Sequence, residues 1–151
     1  MIRNSIPTTR TDQRPGSAGA GDLLKTGRDA KVLVVEDEPL LRMVTADHFR
    51  DAGFKVFDAA TGDEALEVLS AHQDIQAVFT DIEMPGAVNG VALAKTIRRR
   101  WPAIVVMVTS GRWLPSAEAL PDGVPFVPKP YAADEVINRI RELASSSTGR
   151  H

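Results

Sequence analysis

The sequence predicts an α/β fold: a strand–helix unit repeated five times, (βα)5, forming a doubly wound five-stranded parallel sheet. Two patterns carry this expectation. Short runs of β-branched and aliphatic residues, nearly unbroken by polar ones, recur along the chain, as they do in strands buried on both faces. Between them lie amphipathic segments of helical period, bounded by proline and glycine.

The elements follow in order from Lys31. Lys31-Val32-Leu33-Val34-Val35 reads as the first strand. Pro39 suits the first turn of a helix in which Leu41, Val44, Phe49 and Ala52 recur at broadly helical spacing, with Gly53 as its stop. Lys55-Val56-Phe57 is a shorter second strand. Thr61 and Glu64 have the spacing of a capping box and open a helix that turns Ala65, Leu66 and Leu69 inward. Ala77-Val78-Phe79-Thr80 is the third strand and ends at Asp81. Leu93, Ile97 and Trp101 fall at i, i+4 and i+8 of the next helix, which Pro102 closes. Residues 104–108 form the fourth strand, and 115–120 allow only a short helix before Pro121 and Gly123. Phe126-Val127 is a brief fifth strand, and the last helix carries Val136, Ile137 and Ile140 on one face.

Length and composition fit this reading. The chain of 151 residues accommodates one domain of about 115–120 residues plus tails. Residues 1–28, rich in Thr, Arg, Gly, Ser and Pro, are expected to be a flexible N-terminal tail; the domain is expected over 29–145 and a C-terminal tail over 146–151. No cysteine is present, which excludes disulfides, thiolate catalysis and zinc–thiolate sites. No apolar run approaches a membrane span, and Pro7 and Pro15 interrupt a polar N-terminus without a secretory core, so the expected compartment is the cytoplasm.

Charge is unevenly divided, with a net +3 on residues 1–28 and −5 on 29–151. An acidic domain is a poor nucleic-acid binder, so direct DNA binding is not expected. Arg98-Arg99-Arg100, its one basic cluster, reads as a solvated helix end favoured by the helix dipole. His48, His72 and His151 read as structural or solvated, and Met43, Met84 and Met107 as packing residues. Trp113 reads as packing under the short fourth helix, with a partner-binding anchor as the alternative.

The chemistry gathers where the strands end. Glu36-Asp37 follow the first strand, Asp81 the third, Thr109 the fourth and Lys129 the fifth. In a parallel sheet these ends share one edge, and ligands bind beyond it at the switch point in strand order. Glu36-Asp37 taken alone could equally be anions decorating a helix N-terminus. Three carboxylates close together repel and call for a cation, and oxygen donors without His or Cys suit Mg²⁺. A Lys and a Thr hydroxyl beside such an ion suit a phosphoryl group, with the remaining carboxylate as nucleophile.

With these motifs in place, the sequence resembles the receiver domain of two-component response regulators over roughly residues 30–144. The matching motifs are Val-Val-Glu36-Asp37-Glu38-Pro39, Asp81-Ile-Glu-Met84-Pro85 with Gly90, Val108-Thr109-Ser110 and Pro128-Lys129-Pro130-Tyr131. The resemblance implies the flavodoxin-like receiver fold. It implies that Asp81 accepts a phosphoryl group from a phosphohistidine on a histidine kinase or histidine phosphotransfer protein. Asp37 and Asp81 would bind Mg²⁺ through carboxylates, Glu83 through its backbone carbonyl and Glu36 through a water. Thr109 and Lys129 would contact phosphoryl oxygens, the Lys129–Pro130 peptide would be cis, and Phe126 would be the aromatic that changes rotamer on activation.

Three features depart from the family's usual pattern. The loop from Asp81 to Gly90 is one residue longer, Glu36 stands where Asp is commoner, and the 109–129 stretch is slightly short, with Pro115 and Pro121 cutting its helix. The last departure bears on who reads the signal rather than on the chemistry.

The expected function is a stand-alone receiver, not an enzyme acting on a separate substrate, that catalyses its own phosphorylation and dephosphorylation. It would signal through a downstream protein or a second copy of itself, away from membranes. The alternatives are a pseudo-receiver binding partners without phosphorylation, and an Asp-nucleophile phosphatase or mutase in which Glu83 would stand as the general acid.

Overall fold

The computed structural model of the chain describes residues 29–111 and 120–149, with side chains as far as Ala144. The N-terminal segment 1–28, Trp113 and Pro115 lie outside the described residues, as does all of the short helix expected at 115–120 except Leu120. Among the described residues, β1 (Lys31–Val35), α1 (Pro39–Asp51), β2 (Lys55–Ala59), α2 (Gly62–Ala71) and β3 (Ala77–Asp81) come first. Then follow α3 (Gly90–Arg100), β4 (Val105–Ser110), β5 (Phe126–Pro128) and α4 (Ala133–Gly149). The C-terminal boundary expected at 145 therefore falls inside the last helix.

The five strands form one parallel sheet in the order β2-β1-β3-β4-β5. Because side chains alternate along a strand, the apolar runs feed two separate cores. Leu33, Val35, Val78, Val106 and Val108 pack with Ala65 and Leu69 of α2 and Leu93, Ala94 and Ile97 of α3. Val32, Val34, Ala77, Phe79 and Met107 pack on the other face with Phe49 of α1 and Val136, Ile137 and Ile140 of α4. Leu93, Ile97 and Ile140 are fully buried, and each such side chain stabilises the fold by about 1.5–3 kcal/mol.

Local signals place the helix starts. Pro39 opens α1. Thr61 caps α2, its hydroxyl accepting from the Glu64 amide at 3.0 Å while the Ala60 amide donates to Glu64 Oε1 at 2.7 Å. Asn89 caps α3 by accepting from the Ala92 amide at 2.9 Å. The basic run closes α3, with Arg100 stacked 4.3 Å from the Trp101 ring centre.

α1 corrects part of the expected pattern. It faces the sheet through Thr45, Ala46 and Phe49, whereas Val44 is 43% and Met43 53% exposed, and Leu40 is exposed beside them. Val44 lies about 150° round the helix from the centre of the buried face, and the bulk of Phe49 fixes which side turns inward. Met84 is half-buried and Met107 buried, as packing residues. Among the described residues no helix is long and apolar enough to cross a membrane.

Candidate functional site

β1 and β3 are neighbours at the point where strand order reverses, which opens a crevice at their carboxyl ends. Val35 pairs with Thr80, so Glu36 and Asp81 come next on their respective strands. Glu36 and Asp81 are each 3% exposed, Asp37 is exposed, and ligand atoms of the three lie within 4.8 Å of one another.

Lys129 enters this cluster from β5. Its ammonium lies 2.9 Å from Glu36 Oε1 and 3.1 Å from Asp81 Oδ2. The Glu38 amide donates to Glu36 Oε2 at 3.1 Å and the Glu83 amide to Asp81 Oδ1 at 3.3 Å. Burial pushes the Glu36 carboxyl above its usual range, and the Asp81 charge adds to this, while the Lys129 and Glu38 hydrogen bonds pull the other way without winning. On Lys129 burial works against the charge, but its hydrogen bonds to Glu36 and Asp81 prevail and raise its pKa.

Thr109 pairs in register with Asp81. It is 1% exposed, and among the described residues its Oγ1 has no hydrogen-bond partner. Leaving a buried hydroxyl unpaired costs about 1–3 kcal/mol, so this atom is suited to an oxygen arriving from outside. The backbone beside it is tightly fixed, because the Ile82 amide donates to the Thr109 carbonyl at 2.8 Å. Gly90 makes the return of the loop possible: a Cβ there would stand 2.2 Å from the Asp81 carbonyl oxygen. The loop between β3 and α3 rests on α2, where a Cβ on Gly62 would stand 2.2 Å from the Val88 carbonyl oxygen.

A cleft of 480 Å³ adjoins the carboxylates, lined among others by Asp37, Glu83, Met84 and Asn89. The donor set is all oxygen, and three carboxylates against one ammonium leave net negative charge. Glu36, Asp37 and Asp81 thus fit a hard divalent cation such as Mg²⁺.

Of the residues expected in the site, Glu36, Asp37, Asp81, Glu83, Thr109 and Lys129 come together. Phe126, expected as a switch residue and not as a ligand, lies apart from the carboxylates. It is half-buried on the outer strand, pairs with Val108 and packs on the core beneath α2 and α3. The Lys129–Pro130 peptide is cis.

Three further participants, Arg42, Thr45 and Tyr131, had no role assigned from sequence, although Tyr131 stands in one of the matching motifs. Arg42 donates to the Glu36 carbonyl at 2.8 Å and faces Asp58 at 3.7 Å. Tyr131 places its hydroxyl 2.7 Å from Thr45 Oγ1, and burial raises its pKa. A polar Thr45 between apolar positions of a helix was the available signal.

The response regulator receiver domain family matches residues 32–141. The sensor kinase CckA of Brucella abortus is 28% identical over 148 residues, which cover 91% of this chain and 15% of that protein. The aerobic respiration control protein ArcA of Escherichia coli K12 is 33% identical over 117 residues, 76% of this chain and 48% of that protein. The chain thus spans less than half the length of either relative. The crystal structure of the receiver domain from hybrid histidine kinase CckA matches with a TM-score of 0.65 at 32% identity, covering 76% of this chain and 99% of that one.

Proposed function

This chain belongs to the response regulator receiver domain family, and from that premise we propose that Asp81 accepts a phosphoryl group from a phosphohistidine donor in a Mg²⁺-dependent reaction. One observation carries the reading: Asp81 is hydrogen-bonded to the Lys129 ammonium and stands in register with Thr109, whose buried hydroxyl lacks a partner among the described residues. Those are the groups that a phosphoryl group on Asp81 needs around its oxygens.

In the proposed reaction an Asp81 carboxylate oxygen bonds to phosphorus as the phosphorus–nitrogen bond of the phosphohistidine breaks. The electron pair of that bond stays on the departing imidazole. Lys129 balances charge on the phosphoryl oxygens, and the Thr109 hydroxyl donates to one of them. Asp37, Asp81 and the Glu83 backbone carbonyl would hold Mg²⁺, with Glu36 on a bound water. The ion, when bound, supplies positive charge beside the transferring group.

The histidine kinase or phosphotransfer protein that would supply the group, a cytoplasmic setting, and output through a protein partner or a second copy belong to the same proposal. So does the chain's role as a phosphoacceptor that promotes its own phosphorylation and dephosphorylation without a separate substrate.

Incubation with acetyl phosphate and Mg²⁺, followed by intact-mass measurement, tests it. Gain of one phosphate that EDTA prevents is the expected result. An unchanged mass would point to a pseudo-receiver, and continued hydrolysis of the donor with multiple turnovers to a phosphatase.

A further inference from the structure

Lys129 has to reach across a strand. It follows β5, the outer strand, and β4 separates β5 from β3, yet its ammonium sits 3.1 Å from Asp81 on β3. The Lys129 amide donates to the Ser110 carbonyl at 3.0 Å, which fixes the start of the crossing segment on β4. On its far side Tyr131 turns back over the sheet. Its ring meets Phe79 edge-on, with centres 5.1 Å apart and planes at 85°. Its hydroxyl lies 2.7 Å from Thr45 Oγ1. Phe79 stands two residues before Asp81 on β3, and α1, which carries Thr45, begins just beyond Glu36 and Asp37.

We infer that the Tyr131–Thr45 hydroxyl pair is a positioning device that holds Lys129 over the Glu36 and Asp81 carboxylates by tying the segment after β5 to α1. The inference deepens the proposed phosphoryl transfer and rests on that reading. Both hydroxyls have a use beyond filling space. Thr45 is 3% exposed on a face otherwise built of Ala46 and Phe49, where an isosteric valine would pack without needing a partner. Burial raises the pKa of Tyr131, so the phenol keeps its proton across neutral pH.

The pair is not needed merely to hold α1 against α4. Phe49, Val136, Ile137 and Ile140 share one buried cluster, and Arg141 donates to the Ala52 carbonyl at 3.4 Å beyond the far end of α1. Tyr131→Phe would keep the ring against Phe79, and the freed Thr45 hydroxyl could turn to the carbonyl one helical turn back. What such a variant loses is the tether beside Lys129.

The test compares the wild type with Tyr131→Phe, Thr45→Val, the double variant and Thr45→Ser. The first readout is the NMR signal of the Lys129 Nζ ammonium in metal-free protein, which reports its position whether or not Asp81 reacts. The second is the rate constant of phosphorylation by acetyl phosphate at saturating Mg²⁺. Tyr131→Phe and Thr45→Val should shift the Lys129 signal alike and slow phosphorylation about 10-fold, the scale of loss when a supporting hydrogen bond is removed. The double variant should be no slower than either single one, and Thr45→Ser should keep the wild-type signal and rate. A lowered melting temperature with signal and rate unchanged would overturn the inference and leave only a structural staple. A shifted signal with an unchanged rate, or losses that multiply in the double variant, would overturn it too. If the wild type takes up no phosphate, the proposed function falls, and the Lys129 signal still decides whether the pair positions that residue.

Discussion

At Glu36 burial and pairing oppose each other, and burial wins, so its carboxyl protonates more readily in the folded chain than in the unfolded one. Between the ordinary glutamate pKa and that raised value the folded state holds more protons, so ionisation of Glu36 costs stability as pH rises through the window. Without metal, the melting temperature should therefore carry a component that increases as pH falls through this window. Glu36→Gln should remove that component in a pH series of thermal melts, and an unchanged pH profile would contradict the assignment. Lys129 behaves in the opposite sense: its raised pKa means its pairing is complete at neutral pH and is lost only as alkaline pH passes the folded value. Asp37 offers a direct probe of the shared charge. Asp37→Asn should raise the melting temperature in EDTA by relieving repulsion among the three carboxylates. Mg²⁺ should then stabilise the wild type more than the variant, since a ligand at 100 times its Kd contributes about 2.7 kcal/mol to the state that binds it. Equal Mg²⁺ shifts in thermal scans would move the ion elsewhere.

At the scale of elements, the strands were readable because parallel strands buried on both faces are nearly unbroken apolar runs, as 77–80 and 104–108 are. α2, α3 and α4 were readable for a related reason, since Leu69, Leu93, Ile97 and Ile140 mark single stripes that the structure buries. α1 was readable as a helix from Pro39 to the stop at Gly53, but its buried face was not, because it carries apolar residues on two sides and periodicity alone does not say which side meets the sheet. The two assignments predict different energetics in urea unfolding. Phe49→Ala should cost about 3–5 kcal/mol, whereas Val44→Ala should stay within about 0.5 kcal/mol. A large loss at Val44 would restore the face expected from sequence. Asn89 capping α3 and the Tyr131–Thr45 bond were hidden for another reason: each depends on a side-chain direction that folding sets.

For the molecule as a whole, the sheet order brings chemistry from four strand ends to one crevice, and this much followed from residues standing after apolar runs. How the site reaches the surface was less visible, because Phe126 lies on the outer strand, away from the carboxylates. Its pairing partner Val108 immediately precedes Thr109. A phosphoryl group that draws in the Thr109 hydroxyl would thus act on the strand against which Phe126 is paired, biasing a two-state element. Beryllofluoride with Mg²⁺ should shift the amide signals of Val124, Phe126 and Val127 in the wild type, and Thr109→Ala should abolish those shifts while still allowing phosphate uptake. Persisting shifts in Thr109→Ala would route the signal elsewhere. All of this depends on Asp81 being the acceptor, which chemistry can read at a single position. After reaction with acetyl phosphate and Mg²⁺, borohydride reduces an aspartyl phosphate to homoserine, and peptide mass mapping locates the change. The expected result is homoserine at position 81, absent when EDTA is added; homoserine at another aspartate, or none where intact mass shows a bound phosphate, would contradict the account.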